Sequence, residues 1–340
     1  MNKRAIYLLM LAAFAALLTG CGGRTRATAE RAGDTLAMTP CPTFQADSAL
    51  DCITAQCAFG PRVTGSAASK ACGDWIVAEF TRRGCTVEEQ KGEVTTWDGT
   101  KLTARNITAR YRPEAKRRLM LCAHWDSRPW ADNDDDETKH HTPVTAANDG
   151  ASGVAVMLEI ARLLHETGDL GCGVDFVCFD AEDMGTPQWA EGDSERETST
   201  WCLGSQMWSE RMKGQEEKPV FAILLDMVGG YGATFSKEST SVRYAGDVVD
   251  EIWRTAGQIG YGHFFPVRDG GGVEDDHVYV NRAGIPCVDI IPYHEYGPSV
   301  FGPTWHTAGD TPERISTQVL EAVGQTVLQV LYNRQETNTP

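Results

Sequence analysis

The apolar positions of this chain fall into two alternating patterns, one typical of buried strands and one typical of helices. Short continuous runs rich in Val, Leu and Ile predict strands around Val94 and at residues 102–109, 119–123, 174–179, 220–225 and 285–291. Apolar residues at helical spacing predict helices at residues 70–83, 150–165, 203–212, 248–259 and 314–332. Because buried strands interleave with helices, we predict a single-domain α/β fold with a mixed, mostly parallel central sheet and helices on both faces.

The first twenty residues follow a different pattern. Lys3 and Arg4 precede an apolar run at residues 6–18, which is too short to span a membrane and is typical of a secretory signal. The next residues, LTGC ending at Cys21, resemble the lipobox of bacterial lipoproteins, in which the cysteine becomes the lipid-carrying first residue of the mature chain. We therefore predict lipidation of Cys21. An ordinary cleaved signal followed by a chance cysteine is the alternative.

The predicted domain organisation follows from this beginning. Residues 1–20 are the predicted signal peptide, residues 21–44 a flexible polar tether and residues 45–340 one catalytic domain. A lipid on Cys21 would be the chain's attachment to a membrane, which predicts a periplasmic location in a bacterial cell envelope. Asp is absent directly after Cys21, and by resemblance to lipoprotein sorting rules this predicts the outer membrane.

Composition limits the classes of partner. Asp and Glu total 47 against 31 Lys and Arg, which gives a formal net charge of −16. This acidity argues against nucleic acid as a partner and against loose adhesion to anionic membranes. With 41% hydrophobic residues, a chain of 340 residues is long enough to bury a sizeable core.

The chain contains 11 cysteines, an odd number. Lipidation of Cys21 leaves ten, and an exported chain can form disulfides. Cys52 and Cys57 are close enough in the sequence for a small local bridge, whereas Cys122 and Cys178 lie in apolar runs where a free thiol packs as a small apolar residue. We expect disulfide bonding and leave its connectivity open.

Side chains able to bind a metal stand mainly where the predicted strands end. They are His124, Asp149, Glu182, Asp183, Asp226 and His306. Because the carboxyl ends of parallel strands meet at one edge of a sheet, we expect these groups to converge. Each alone has a plain structural explanation; Asp149, for example, could simply cap the helix that follows it. Together, imidazole and carboxylate groups form a ligand set suited to zinc.

The order of these residues resembles the zinc-dependent exopeptidase clan over roughly residues 45–335, and most of all its animal-type glutaminyl cyclases (glutaminyl-peptide cyclotransferases). The motifs that carry the resemblance are HWDSRPWAD at 124–132, ANDGASG at 147–153, FDAEDMG at 179–185, LLDMVGG at 224–230, EDDH at 274–277 and TWHTAGDT at 304–311. The resemblance implies a zinc exopeptidase-like fold and a monomeric enzyme.

The resemblance also implies how the metal and the proton are handled. Asp149, Asp183 and His306 would bind a single zinc ion, and Glu182 would be the general acid and base. Asp183 departs from the glutamate that is usual in the family. Because aspartate is shorter, its carboxylate must sit closer to the metal, and we expect the loop at residues 183–189 to run differently.

Further residues would surround this centre. Asp226 and Asp275 would form an acidic hydrogen-bond network beside Glu182, and a family histidine is replaced by Asp289. Aromatic walls would exclude water from the substrate pocket. The tryptophans of these walls would be Trp189, Trp201 and Trp305.

The implied reaction is the cyclisation of N-terminal glutamine in peptides or proteins to pyroglutamate with release of ammonia. A two-zinc aminopeptidase is the main alternative, because all five ligand types of the clan are present: His124, Asp149, Asp183, Asp226 and His306. A catalytically silent peptide-binding lipoprotein is a third reading, but it predicts loss of Glu182 or of a ligand. The acidic run at residues 132–137 favours a solvated loop over a calcium site.

Overall fold

The computed structural model describes residue 36 and residues 38–190, 199–294, 296–297 and 299–335. The chain divides into a unit of residues 1–36 and a unit of residues 37–340, and every helix and strand given below belongs to the second unit. The predicted signal peptide and Cys21 lie outside the described residues. Among the residues described, no helix combines the length and apolar character that a membrane crossing requires.

The central sheet has six strands. They are β1 (Thr86–Thr95), β2 (Lys101–Tyr111), β3 (Arg118–His124), β4 (Gly173–Phe179), β5 (Ala222–Leu225) and β6 (Cys287–Ile290). Their spatial order is β1-β2-β4-β3-β5-β6. The strands β4, β3, β5 and β6 run parallel, and β1 and β2 pair in antiparallel fashion at one edge. The predicted mixed, mostly parallel sheet is confirmed.

Burial along the strands explains why their sequence signal is strong. Every residue of β4, β5 and β6 is buried, as continuous apolar runs in a sheet covered on both faces require. The edge strand β1 alternates exposed and half-buried positions, and Val94 is its one buried residue. Each predicted strand coincides with an observed one, because this periodicity is a local property of the chain.

Seven α-helices surround the sheet in the described residues. They are α1 (Ala46–Cys57), α2 (Ala67–Arg82), α3 (Ala151–Thr167), α4 (Leu203–Lys213), α5 (Ser239–Gln258), α6 (Asp276–Arg282) and α7 (Thr317–Asn333). The sequence analysis missed α1 and α6, and α5 begins well before its predicted start. The first part of α5 (STSVRYAGD) shows no apolar periodicity, and its start depends on Glu238, whose carboxylate accepts hydrogen bonds from the N–H groups of Thr240 and Ser241.

Close packing of α3 against the sheet brings its N-terminus next to the ends of the strands. A Cβ atom at Gly153 would lie 2.1 Å from the carbonyl oxygen of Leu225, so only glycine permits this approach. Leu225 is the last residue of β5, and Asp149 lies just before α3. The contact therefore holds the loop of Asp149 close to the residue that follows β5, Asp226.

Packing of the folded domain extends into the predicted tether. Phe44 is buried, and its backbone N–H donates to Gln325 on α7. The N–H of Thr39 donates to Asn333 on the same helix. Residues 39–44 thus contact the domain, and the predicted tether of residues 21–44 is too long at its carboxyl end.

The expected disulfides are not present in the described part of the chain, where all ten cysteines are free thiols. Cys52 and Cys57, the predicted local pair, face different partners: Arg83 donates to Cys52, and the thiol of Cys57 points to the carbonyl of Thr145. The cysteines pack within the hydrophobic clusters of the core, where Cys122 and Cys287 lie in side-chain contact as free thiols. Burial raises the pKa of the Cys72 thiol to about 12, so this side chain packs as a neutral group.

Candidate metal centre and catalytic pocket

Loops at the carboxyl ends of the parallel strands bring the predicted metal-binding groups together. His124 ends β3, Asp183 follows β4 and Asp226 follows β5. Asp149 lies directly before α3, and His306 comes from the segment that leads to α7. All five side chains are buried. This convergence is what the parallel arrangement of β4, β3 and β5 requires.

The three residues implied as zinc ligands form one compact group. The Nε2 atom of His306 lies 3.0 Å from Oδ1 of Asp183 and 3.6 Å from Oδ2 of Asp149. His124 approaches from the other side, with its Nε2 atom 3.0 Å from Oδ1 of Asp149. Ligand atoms of His124, Asp149 and Asp183 all lie within 4.8 Å of one another.

Several oxygen atoms of this group lack the hydrogen bonds that buried polar atoms normally have. Both carboxylate oxygens of Asp183 and the Oδ2 atom of Asp149 are buried and accept no hydrogen bond. Burial raises the pKa of Asp149, and the neighbouring Asp183 carboxylate adds to this effect. Unpaired buried carboxylate oxygens beside a histidine fit a divalent cation such as zinc.

The electrostatic setting of Asp183 and His306 also suits metal binding. Burial raises the pKa of Asp183, but His306 and Arg128 outweigh it and bring the value down to about 2, which keeps the carboxylate ionised. Burial lowers the pKa of His306, with Arg128 acting in the same direction, which favours the neutral imidazole that a metal needs.

Asp126, to which the sequence analysis assigned no role, holds the loop after β4. Its two carboxylate oxygens accept hydrogen bonds from the backbone N–H groups of Glu182 and Asp183, at 3.1 and 3.2 Å. It also lies 3.4 Å from the Nδ1 atom of His124. Its place within HWDSRPWAD is the only sequence signal that could have found it.

Asp310 has the corresponding function on the other side of the centre. Its carboxylate accepts hydrogen bonds from the N–H groups of Asn148 and Asp149, at 2.8 and 2.9 Å. Burial raises the pKa of Asp310 to about 6. The sequence analysis missed this residue, although it lies in the TWHTAGDT motif.

The acidic run at residues 132–137 is only partly the solvated loop that we expected. Asp132 is buried and forms a bidentate ion pair with Arg128, with distances of 2.7 and 2.6 Å. The N–H of Asn133 donates to the carbonyl of His306, and Asp134 accepts from the N–H of Ala308. The first residues of the run therefore hold the loop of His306, and residues 135–137 are exposed.

Glu182 faces the metal-binding group from within the loop after β4. Its Oε2 atom is 3.9 Å from Nδ1 of His124, and its Oε1 atom accepts a hydrogen bond from the thiol of Cys202 at 3.4 Å. Burial raises the pKa of Glu182 well above its usual range, and the charge of Asp183 adds to the effect. A carboxyl group with this environment has the proton affinity that a general acid and base needs.

Asp275 lies beside Glu182, and Asp226 lines the same cavity. A carboxylate oxygen of Glu182, the thiol sulfur of Cys202 and a carboxylate oxygen of Asp275 all lie within 4.8 Å of one another. Asp275 caps the N-terminus of α6 by accepting the N–H of Asp276. Burial raises the pKa of Asp275, and Asp226 raises it further, so the acidic groups here disfavour full ionisation of one another.

A cavity of about 320 Å³ opens onto these groups. Its lining includes Asp149, Glu182, Asp226, Asp275 and His306 on the polar side and Trp201, Phe301 and Trp305 on the aromatic side. Two of the three predicted tryptophans thus line the cavity. Trp189 does not: it is 40% exposed and packs against Trp130 and His141.

Stacked rings hold His306 in place. Its imidazole lies parallel to the indole of Trp201, with an interplanar angle of 7° and a distance of 5.8 Å between the ring centroids. The centroid of the Trp305 ring lies 3.9 Å from that of the imidazole. The guanidinium of Arg128 lies 4.6 Å from the Trp201 ring. A Cβ atom at Gly185 would lie 2.0 Å from the same indole, so the absence of a side chain there is necessary for the wall to form.

Known proteins similar in sequence include both cyclotransferases and an aminopeptidase. A glutaminyl-peptide cyclotransferase from Bos taurus is 26% identical over 261 residues, which cover 66% of this chain and 64% of that protein. Aminopeptidase YwaD from Bacillus subtilis is 27% identical over 244 residues, which cover 68% of this chain and 45% of that protein. The chain therefore spans less than two thirds of the length of either relative.

A solved structure matches over more of the chain. The structure of Bacteroides thetaiotaomicron glutaminyl cyclase bound to N-acetylhistamine has a TM-score of 0.84 and 46% identity, and the match covers 87% of this chain and all of that one. The model of peptidase family M28 matches residues 106–331. This chain therefore belongs to peptidase family M28, and within it the chain is similar to the bacterial glutaminyl cyclases.

Proposed function

We propose that this protein is a glutaminyl-peptide cyclotransferase, which converts the N-terminal glutamine of peptides or proteins to pyroglutamate and releases ammonia. The observation that carries the proposal is the small aromatic-walled cavity in which the buried Glu182 faces the Asp149–Asp183–His306 group. The similarity to the Bacteroides enzyme at 46% identity supports the same reaction. Peptides and proteins that begin with glutamine are the proposed substrates.

The reaction needs little chemistry beyond positioning and proton transfer. The α-amine of the terminal glutamine attacks its own γ-amide carbon, so both reacting groups belong to one residue. The C–N bond of the ring forms, the bond to the amide nitrogen breaks, and ammonia leaves. One proton must leave the attacking amine, and one must reach the departing nitrogen.

Asp149, Asp183 and His306 are the proposed holders of one zinc ion. Their unpartnered buried oxygens and the low pKa of Asp183 support this assignment. A zinc ion bound there supplies Lewis acidity to the amide carbonyl. The backbone of Asp183 is held on both sides, since its N–H donates to Asp126 and its carbonyl accepts from Arg128.

Glu182 is the proposed carrier of the proton. Its carboxylate accepts the proton of the α-amine and delivers it to the amide nitrogen as that nitrogen departs. Asp226 and Asp275 support this exchange, because acidic groups buried together hold at least one proton among them. Trp201, Trp305 and Phe301 exclude the water that would otherwise hydrolyse the amide.

A two-zinc aminopeptidase is the second candidate, and one observation favours it. His124 and Asp226 lie beside Asp149 as ligands of a second metal would, with Nε2 of His124 3.3 Å from Oδ1 of Asp226. The similarity to aminopeptidase YwaD agrees with this reading. Peptide hydrolysis, however, requires a metal-activated water, whereas cyclisation requires that water be kept out.

One experiment separates the two candidates. The purified protein is incubated with a peptide that begins with glutamine, with its N-acetylated form and with a peptide that begins with leucine, each with and without a chelator. We expect only the peptide that begins with glutamine to release ammonia and to become lighter by the mass of one ammonia. We expect the chelator to abolish this activity and metal analysis to find one zinc ion per chain. Release of free amino acids by a protein that holds two zinc ions would establish the aminopeptidase instead.

The location of the protein is a proposal of its own. We propose that Cys21 carries the lipid that anchors the protein in a bacterial cell envelope, on the periplasmic side of the outer membrane. The basic residues, short apolar run and LTGC sequence before and at Cys21 support it. A monomer is the proposed state in solution, since the cavity is built within one chain.

A further inference from the structure

Behind the catalytic pocket lies a second cluster of buried ionisable groups. It consists of Glu238, His277 and Asp289, and it adjoins Asp275. All four residues are at most 3% exposed. None of the first three lines the cavity. Their role is therefore separate from contact with the substrate.

His277 lies between two carboxylates. Its Nε2 atom is 3.2 Å from Oε2 of Glu238, and its Nδ1 atom is 3.4 Å from Oδ2 of Asp289. A neutral imidazole carries a proton on only one ring nitrogen, and the protonated ring carries one on each. A ring that carries both protons would place one of them towards each of these two carboxylates.

The cluster reaches the pocket through Asp275. Ligand atoms of Asp275, His277 and Asp289 all lie within 4.8 Å of one another. The Oδ1 atom of Asp275 accepts the N–H of Asp276, whereas its Oδ2 atom is buried and accepts no hydrogen bond. Burial and the carboxylates of Asp226 and Asp276 raise the pKa of Asp275, whereas His277 and the backbone N–H of Asp276 act in the opposite direction.

Glu238 connects the same cluster to the wall of the pocket. Its Oε1 atom accepts the N–H of Val273, which lines the cavity, and its Oε2 atom accepts both the N–H and the hydroxyl of Ser241. The hydroxyl oxygen of Ser241 in turn accepts the N–H of Asp289. These bonds fix the carboxylate of Glu238 and the backbone of Asp289 on either side of His277.

The charges within the cluster depend on one another. Burial raises the pKa of Glu238, but His277 and the N–H groups of Thr240 and Ser241 outweigh it and lower the value to about 2. Burial raises the pKa of Asp289, and the charges of Asp275 and Glu238 raise it further. Three buried carboxylates, those of Glu238, Asp275 and Asp289, therefore surround the one imidazole of His277.

We propose that His277, held between Glu238 and Asp289, is a positioning residue for the reaction: its charge orients Asp275 and allows it to act beside Glu182. This inference rests on the proposed cyclisation and adds to it a residue that does not touch the substrate. His277 acts through Asp275, so its loss affects the rate of the chemical step rather than the binding of the peptide.

Turnover of a glutamine-leading peptide by four proteins tests this proposal: the wild type, His277→Gln, Asp289→Asn and the double variant. We expect His277→Gln to lower kcat about 10- to 100-fold, the size typical of residues that orient functional groups, with KM within about twofold. Asp289→Asn alone lowers kcat less. The double variant is no slower than His277→Gln, because removing one carboxylate reduces the need for the cation.

Glu251→Gln is the matched control. Glu251 is also buried and ion-paired, with Arg334, but it does not line the cavity. This variant is expected to lose thermal stability and keep kcat. If His277→Gln behaves in the same way, or if the effects of His277→Gln and Asp289→Asn simply multiply, the positioning role is wrong. Should His277→Gln fail to fold, an unchanged kcat in Asp289→Asn overturns the proposal equally.

A measurement that needs no activity separates this inference from the proposed reaction. In protein with ¹⁵N-labelled histidine, a doubly protonated His277 gives two slowly exchanging imidazole N–H signals that are missing from His277→Gln. If these signals are present in a protein without cyclase activity, the charged His277 is supported and the proposed cyclisation is refuted. If these signals are absent from an active wild-type protein, the charged His277 is refuted and the proposed cyclisation is unaffected.

Discussion

The thiol of Cys202 donates a hydrogen bond to Oε1 of Glu182 across 3.4 Å, and the backbone N–H of Cys202 donates to the carbonyl of the same glutamate at 2.9 Å. These two bonds join the loop after β4 to the start of α4 at Glu182, the proposed general base. The backbone of Cys202 has a left-handed conformation, with φ of 56°.

The first prediction concerns this contact. Cys202→Ala removes a neutral hydrogen bond, which contributes about 0.5–1.5 kcal/mol, so kcat should fall roughly 2- to 10-fold because Glu182 is held less firmly. Cys202→Ser keeps a donor and should restore most of the rate. Steady-state kinetics on a glutamine-leading peptide measure both. Equal activity in the alanine and serine variants would show that the hydrogen bond is not used.

The second prediction concerns the proton carrier. Glu182→Gln keeps the shape of the side chain and removes its ability to accept a proton, so kcat should fall by at least about 100-fold. Zinc content should stay at the wild-type level, because the proposed ligands are Asp149, Asp183 and His306. Metal analysis and ammonia release check the two parts separately. Near-normal turnover by this variant would refute the assignment of Glu182.

The third prediction compares two tryptophans. Trp305 lines the cavity and lies against His306, whereas Trp189 lies outside the cavity and is 40% exposed. Trp305→Ala should raise KM and lower kcat, since it opens the pocket to water and frees the His306 ring. Trp189→Ala, the matched control, should change kcat/KM less than about threefold. A larger effect at Trp189 would mean that this residue contacts the peptide.

The fourth prediction is a pH dependence of stability at Glu238. Its pKa in the folded protein, about 2, lies below the ordinary value of 4.5, so its stabilisation is present above pH 4.5 and is lost as the pH falls towards 2. Glu238→Gln should be less stable than the wild type by about 1.5–3 kcal/mol at pH 7. Urea unfolding should show the difference shrinking below pH 4.5. A constant difference between pH 7 and pH 3 would contradict the low pKa.

The fifth prediction tests the lipid anchor. Cells that express the full chain should incorporate a radiolabelled fatty acid into this protein and retain it in the membrane fraction, because a lipidated cysteine partitions into a bilayer. Cys21→Ala should abolish the label and release the protein. Cys41→Ala, which changes a cysteine of the folded domain, is the control. Labelling that survives Cys21→Ala would exclude this site.

The sequence by itself determined the architecture, because strand and helix periodicity is a local property. The runs that became β3, β4 and β5 are buried, and the polar residues at their ends could be assigned to one edge of a parallel sheet. The motifs placed Glu182 and His306 in the same centre. Two helices escaped detection: α6 has only seven residues, too few for a periodic pattern, and α1 carries a weakly apolar face.

Only the tertiary structure decided which groups support the centre. Asp126 and Asp310 hold the metal-binding loops through backbone N–H groups, and Cys202 donates to Glu182. The motifs contain Asp126 and Asp310 but do not specify these contacts. Trp189 was predicted to wall the pocket and lies outside it. These outcomes depend on where distant segments meet, and hydrophobic patterning specifies which face of an element is buried without specifying which side chains meet there.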